Sequence, residues 1–284
     1  MYSHLGVGIS RIAHENFSDV EVNMKPNISS FLNAKAISSG DADLVIVQND
    51  IAYYALKGLK PLFEKPVPNI RGIASLYPET VHILARKDAK INSVVDLRNK
   101  KVAVVAVGAP KSGPEQNALQ ILEAYGLRFE DLAKVEWLTI NESMDFLIEN
   151  KIDALFLLGV VGYPDIARTA SQIETVIVPI DDAHAEVMIK KYPYYAKGRI
   201  PGGVYKGVDA VVPTVSVWTM LAGKAELEEG IVYRMTKAIF ENTKTMSAAH
   251  GLGKQVKLEN ALVGMSIPLH PGAEKFYREK GGIK

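Results

Sequence analysis

The 284-residue chain contains no cysteine. Disulfides, thiolate zinc sites and a cysteine nucleophile are therefore excluded, in any redox compartment. An excess of one charge is also missing. The 33 Lys and Arg against 32 Asp and Glu leave a formal net charge of +1, so no field selects nucleic acid or an acidic membrane. No apolar run reaches the roughly 18–20 residues that span a bilayer. The opening MYSHLGVGIS has no basic region followed by an apolar core, so it does not read as a secretory leader; taken literally, this places the chain in the cytoplasm. The six histidines form no H-x3-H pair and no His/Asp cluster, so no metal site is expected. No G-x-S-x-G elbow offers a hydrolase nucleophile.

What is present is an ordinary globular balance, 48% hydrophobic and 23% charged, in a chain long enough for two modest domains. Strand-like and helix-like stretches alternate. IRGIASLY, TVHILARK, KVAVVAV, TVIVPI and PTVSVWTML read as strands. INSVVDLRNK reads as a short helix capped by Ser93. EEGIVYRMTKAIFENTKTM reads as one long helix. This alternation predicts a mainly parallel α/β sheet in each of two lobes. An echo supports two lobes: SSGDADLVIVQND and LIENKIDALFLLG each place an Asp, Asp43 or Asp153, before an apolar strand that ends in a loop.

The most informative stretch is VAVVAVGAPKSGPEQNALQILEAYGL, residues 102–127. A strand, a glycine loop and a helix hold anions in many proteins. The helix has one apolar face, Ala118, Ile121, Leu122 and Tyr125, and Gly126 suits a left-handed cap. Gly108 and Gly113 have the spacing of a phosphate loop, but Pro114 stands where its lysine must be. The dinucleotide pattern fails at its second glycine. Nucleotides and other cofactors are thus not expected. With Pro114 at the first helical position, the N–H groups of Glu115 and Gln116 lack helical partners. Lys111 and Ser112 add a charge and a hydroxyl. The loop either holds a carboxylate or merely starts a helix. QNDIAYY, residues 48–54, offers a second choice of the same kind, between ligand loop and helix cap with a packed tyrosine. IPGGVYKGVD reads as a hinge or a surface loop.

Several stretches resemble one family. They are ADLVIVQNDIAYYALKG, IRGIASLYPETVHILARKDAKINSVVDLRNKKV, SGPEQNALQILEAYGL, IPGGVYKGVDAVVPTVSV and IPLHPGAEKFYREKGG, which extend in order from about residue 41 to the C-terminus. QNDIAYYA, SLYPE-x-VH and PLHPGAE-x-FY are the specific strings. The family is the TAXI-type solute receptors of TRAP transporters. The resemblance implies a two-lobed periplasmic binding protein-like (type II) α/β fold with the ligand in a cleft. Lobe I would comprise residues 1–87 with 205–284 and lobe II residues 88–204, joined by crossovers at 81–87 and 205–214. It implies a non-enzymatic receptor, working outside the cytoplasmic membrane as a monomer and delivering solute to a membrane subunit. The ligand would be a small organic anion or amino acid such as glutamate, glutamine or 2-oxoglutarate. By position, Gln48, Asn49, Lys111, Ser112 and Gly113 would supply donors, and Tyr53, Tyr77 and Gly159 would line the cleft.

The chain departs from the family pattern in three places. The resemblance implies a first strand and a leader before MYSHLG, so a start set too far downstream, or a truncation, is expected. PNISS replaces a T-G-G-S-like loop. K-S-G-P replaces G-S-G-T, so ligand identity does not carry over from relatives. The C-terminal PLHPGAEKFYREKGG reads as a helix packed on a lobe rather than a ligand site. The competing expectation is a cytoplasmic enzyme on the same fold, for which Asp50, Glu79 and Glu115 are the candidate acids and bases.

Overall fold

The computed structural model describes residues 2–25, 29–105 and 113–283. In chain order the elements begin with α1 (Tyr2–Asn16), α2 (Ser30–Ser39), β1 (Leu44–Gln48), α3 (Asn49–Lys57) and β2 (Ile70–Arg86). Then come β3 (Lys101–Val105), α4 (Gly113–Ala124), β4 (Lys134–Leu138), α5 (Ile140–Ile148), β5 (Ala154–Gly159) and α6 (Pro164–Gln172). Next are β6 (Thr175–Ile177), α7 (Asp182–Lys191), β7 (Ala196–Ile200) and β8 (Val212–Lys224). The chain closes with α8 (Glu229–Glu241), α9 (Thr243–Ala249) and α10 (Pro271–Glu279).

The chain divides into two compact units, Met1–Tyr77 with Trp218–Lys284, and Pro78–Val217. These borders fall at 77/78 and 217/218, beside the expected 87/88 and 204/205. Both borders lie inside long strands. IRGIASLY and TVHILARK are one strand, β2, and Pro78, which cannot donate to a ladder, sits at the border. The stretch expected to cross is committed to the second unit, where Val81 pairs with Leu158 and Ala85 with Ala154.

In the second unit β3 lies between β4 and β5 and is parallel to both; Val102 is opposite Val135 on one side and Ala154 on the other. These pairs follow from the helical crossovers α4 and α5, since parallel neighbours need long connections. The remaining named pairs are antiparallel: β2 with β5 and β6, and β7 with β8. The sheet is therefore mixed rather than mainly parallel, because β2 and β8 arrive from the other unit and not through a crossover helix. Its core includes Leu84, Met144, Leu147, Leu155, Ile166 and Tyr205.

In the first unit β1 pairs antiparallel with β8, Leu44 opposite Gly223. The C-terminal string packs against β2. Gly72 donates to Pro268 O, and His270 N–H returns to Gly72 O. His270 caps α10: its Nδ1 accepts from Gly272 N–H at 3.2 Å, and its Nε2 lies 3.1 Å from Leu227 O. Phe276 and Tyr277 are buried, each contributing about 2–3 kcal/mol of apolar burial. The Tyr277 hydroxyl donates to Ile73 O at 2.8 Å. These contacts give PLHPGAEKFY a packing role.

Local signals hold in several places. Gly126 ends α4 with φ +68°. The Ser93 N–H donates to the Asp96 carboxylate at the start of a single 3-10 turn, Val94–Leu97. The expected long helix is two, α8 and α9, broken at Asn242, whose backbone leaves the helix at φ −112°, ψ +42°.

Candidate functional site

In the first unit, β1 ends at Gln48 and α3 starts at the next residue. The Gln48 N–H donates to Ser30 Oγ at 3.0 Å. Asn49 is fully buried and its carboxamide is used twice. Nδ2 donates to Gly264 O at 2.7 Å, and Oδ1 accepts from Trp218 N–H at 2.9 Å. Its carbonyl accepts from Ser266 Oγ at 2.6 Å. Asn49 thus ties the β1–α3 turn to β8 and to residues 264–266, and shapes the turn from behind. Asp50 Oδ1 accepts the Ile51 N–H at 2.7 Å, a helix-start contact. Tyr53, on α3, is half-buried. Tyr77, the last residue of β2 in this unit, is fully buried.

In the second unit Gly113 is the first residue of α4 and is buried. Lys111 and Ser112 lie outside the described residues. Behind the first turn of α4, polar side chains form a buried chain. Asn117 Nδ2 donates to the Tyr195 hydroxyl at 3.0 Å. That hydroxyl donates to Gln120 Oε1 at 2.8 Å, and Gln120 Nε2 donates to the Tyr194 hydroxyl at 2.8 Å. Such a network fixes the helix that carries Gly113.

Gly159 ends β5. A β-carbon there would stand 2.7 Å from the Tyr163 ring, so any larger residue would have to displace that ring. The turn is held by residues to which the sequence reading assigns no role. The Tyr205 hydroxyl accepts from Gly162 N–H at 2.8 Å and Tyr163 N–H at 2.9 Å, just before α6. It lies 3.0 Å from Nε2 of His82. His82 Nδ1 is 2.9 Å from Thr80 O, which can only accept, so Nδ1 carries the proton and Nε2 takes the tyrosine's. Burial lowers the His82 pKa to about 4, despite the opposing Thr80 contact. Burial, with smaller contributions from Asp165 and Glu79, raises the pKa of Tyr163. Those two carboxylates give the turn a negative setting. Tyr205 comes from IPGGVYKGVD, where Gly203 N–H closes on Val208 O at 2.7 Å and the turn delivers a buried tyrosine. A lone histidine inside TVHILARK and a tyrosine between glycines were the available signals.

The sequence-predicted residues therefore fall into two sets, Gln48, Asn49, Tyr53 and Tyr77 in the first unit and Gly113 and Gly159 in the second. Gln48 and Asn49 lie where β1 gives way to α3, Gly159 ends β5 and Gly113 starts α4, while Tyr53 lies within α3 and Tyr77 within β2. Among the described residues no group of three or more His, Asp or Glu could hold a metal ion. None of the described helices is long and apolar enough to cross a membrane.

A two-unit α/β chain linked by two long strands, with its polar turns at the carboxyl ends of strands, has a periplasmic binding protein-like fold. The NMT1-like family matches residues 1–281, and the chain belongs to it. Among solved structures the chain is similar to the periplasmic aliphatic sulphonate binding protein SsuA from Escherichia coli. Identity is 13%, over 98% of this chain and 76% of that one, with a TM-score of 0.55. It is similar to PhnD1 from Prochlorococcus marinus, solved with methylphosphonate, at 14% identity over 98% and 92%, TM-score 0.57. It is also similar to XAC2383 from Xanthomonas citri, solved bound to ATP, at 12% identity over 99% and 91%, TM-score 0.56. At these identities the likeness is one of fold.

Proposed function

We propose that the chain is a non-enzymatic, extracytoplasmic solute receptor that captures a small organic anion or amino acid and hands it to the membrane subunit of a TAXI-type TRAP transporter. The observation that carries this reading is local. β1 and β5 each end at a residue that the resemblance, by position, implies is near the ligand, Gln48 or Gly159, and a helix starts close behind. Carboxyl ends of strands are where open α/β sheets bind solutes. The strings QNDIAYYA, SLYPE-x-VH and PLHPGAE-x-FY favour the TAXI type. The fold neighbours named for sulphonates and phosphonates support capture of a small anion.

In the first unit Gln48 is the proposed donor, with Tyr53 and Tyr77 as further ligand residues; in the second, Lys111, Ser112 and the start of α4 at Gly113 are the proposed donors, with Gly159. Asn49 acts by holding the turn. Each hydrogen bond to an ionised group contributes roughly 1.5–3 kcal/mol, and a few suit micromolar capture, about −8 kcal/mol. The enzymatic alternative gains no support, because Asp50 is engaged by its own helix start.

Titration calorimetry against glutamate, glutamine, 2-oxoglutarate, an alkylsulphonate and an alkylphosphonate tests the ligand class. Binding of a carboxylate or amino acid is expected. Silence toward all three of these refutes the class, and binding of the sulphonate alone reassigns it. Lys111→Ala should weaken an anionic solute more than a neutral one. Uptake by the reconstituted transporter should follow an ion gradient and not ATP.

A further inference from the structure

In the β1–β8 ladder Gln48 is opposite Thr219, so Trp218 stands just past the carboxyl end of β1. It belongs to the same unit as Gln48 and Asn49. Its backbone is pinned at the β1–α3 turn, because its N–H donates to Oδ1 of the fully buried Asn49 at 2.9 Å. Its side chain is deeply buried, with the residue only 7% exposed. Yet the indole Nε1–H is enclosed and has no hydrogen-bond partner among the described residues.

The strand fixes which way the ring faces. Side chains two apart on a strand share a face, so Trp218 shares one with Met220. A β-carbon on Gly72 of β2 would touch both Met220 and Met265, so Met265 lies over that face as well. Met265 sits between Gly264 and Ser266, the two residues that bond Asn49. The indole therefore lies on the face of β8 that carries the turn tied to Asn49, beside the proposed ligand residue Gln48.

Most buried polar atoms have a partner, and a buried donor without one destabilises the fold. Ser143 Oγ and Thr169 Oγ1 are also buried without a partner. They lie in α5 and α6, where a small rotation brings a hydroxyl to a carbonyl of the preceding turn. An indole has no such recourse. Its N–H is carried on a rigid ring far from its own backbone, and it can only donate.

We propose that the Trp218 indole N–H is a solute-binding group of the first unit, and that it selects for an oxygen that carries no hydrogen, such as that of a carboxylate. This rests on the receptor reading above and adds to it a residue and a selectivity. A donor-only group cannot receive the hydrogen of an ammonium or a hydroxyl. Toward an ionised oxygen the bond is charge-assisted, and an enclosed setting strengthens it. Asn49 is poorly suited to the same task, since both ends of its carboxamide are engaged within the unit.

The test uses the full chain. It has two tryptophans, and the other, Trp137, is exposed, so Trp137→Phe leaves one indole to follow. Proton–nitrogen NMR spectra of that variant are recorded during titration with glutamate, glutamine, 2-oxoglutarate, an alkylsulphonate and an alkylphosphonate, with calorimetry alongside. The Trp218 indole proton should move downfield with a solute that binds. Trp218→Phe should weaken that solute about tenfold or more. Replacing Trp218 by benzothienylalanine, which puts sulphur in place of the N–H in a ring of nearly the same shape, guards against a packing loss. It should weaken binding equally and leave the Tm unchanged or raised, because the N–H it removes has no partner to lose. Solute binding with a stationary indole resonance, or with undiminished affinity in both replacements, overturns this inference and leaves the receptor reading standing. So does a lower Tm with unchanged affinity in the benzothienylalanine form, which would show the N–H engaged within the fold. Silence toward all of these solutes overturns both.

Discussion

The Tyr205 hydroxyl stands 3.0 Å from Nε2 of His82 and accepts the N–H groups of Gly162 and Tyr163. One buried pair therefore fixes both the tautomer of a histidine and the turn between β5 and α6. The arrangement works only while the ring is neutral, since a protonated Nε2 would face a donor.

A pH dependence follows. His82 titrates near 6.5 when unfolded and at about 4 in the native state. Between those values the unfolded chain binds a proton that the folded one does not, so stability is complete above pH 6.5 and declines as pH falls toward 4. The loss is about 3 kcal/mol. Urea unfolding of the native chain and of His82→Gln, from pH 7 to pH 4, checks this. The native chain should be the more stable at pH 7, and the gap should shrink as pH falls. A gap that stays constant contradicts it.

Tyr205→Phe keeps the ring and removes the oxygen. Two N–H groups and one imidazole nitrogen then lose their partner, at a cost of about 1–3 kcal/mol. Amide exchange at Gly162 and Tyr163 should accelerate more than exchange in β5. Uniform acceleration would show that the hydroxyl is not what holds the turn.

Asn49→Asp preserves shape but cannot donate to Gly264 O, and it places a carboxylate against that carbonyl. A loss of about 2–3 kcal/mol is expected in chemical denaturation. Residues 263–266 should become the first site of limited proteolysis. Cleavage elsewhere first would detach this loop from Asn49.

Gly159→Ala drives a β-carbon into the Tyr163 ring, which is half-buried and can yield. About 1–3 kcal/mol should be lost, and Gly159→Ala with Tyr163→Ala should regain part of it. Additive losses in the double variant would place the strain elsewhere.

Gly272→Ala meets backbone instead, with Glu229 O only 2.2 Å from the new carbon. Backbone cannot rotate away, so α8 and α10 must separate. Its loss in Tm should exceed that of Gly159→Ala. An equal or smaller loss would show that α10 shifts freely.

The sequence by itself determined much that is local. Apolar runs made β1, β2, β5 and β8, because burial on both faces leaves few alternatives to a strand. Gly126 ended α4, and Ser93 with Asp96 opened a turn, because backbone geometry and short-range hydrogen bonds need no distant partner. Of the proposed ligand residues, Gln48 and Gly159 were legible as strand ends and Gly113 as a helix start.

Tertiary structure decided the rest. Asn49 is read in the sequence as a donor in a ligand loop, but partners more than 160 residues away in the chain, Trp218 and Gly264, make it a tie within its unit. His82 lies in SLYPE-x-VH and Tyr205 in IPGGVYKGVD, but neither string says that the two meet; only the fold brings a strand residue and a loop residue 123 positions apart to one hydrogen bond. The mixed sheet was hidden for the same reason, since strand direction depends on where the chain last came from. Periodicity records which face of an element is buried, and it carries no record of what covers that face.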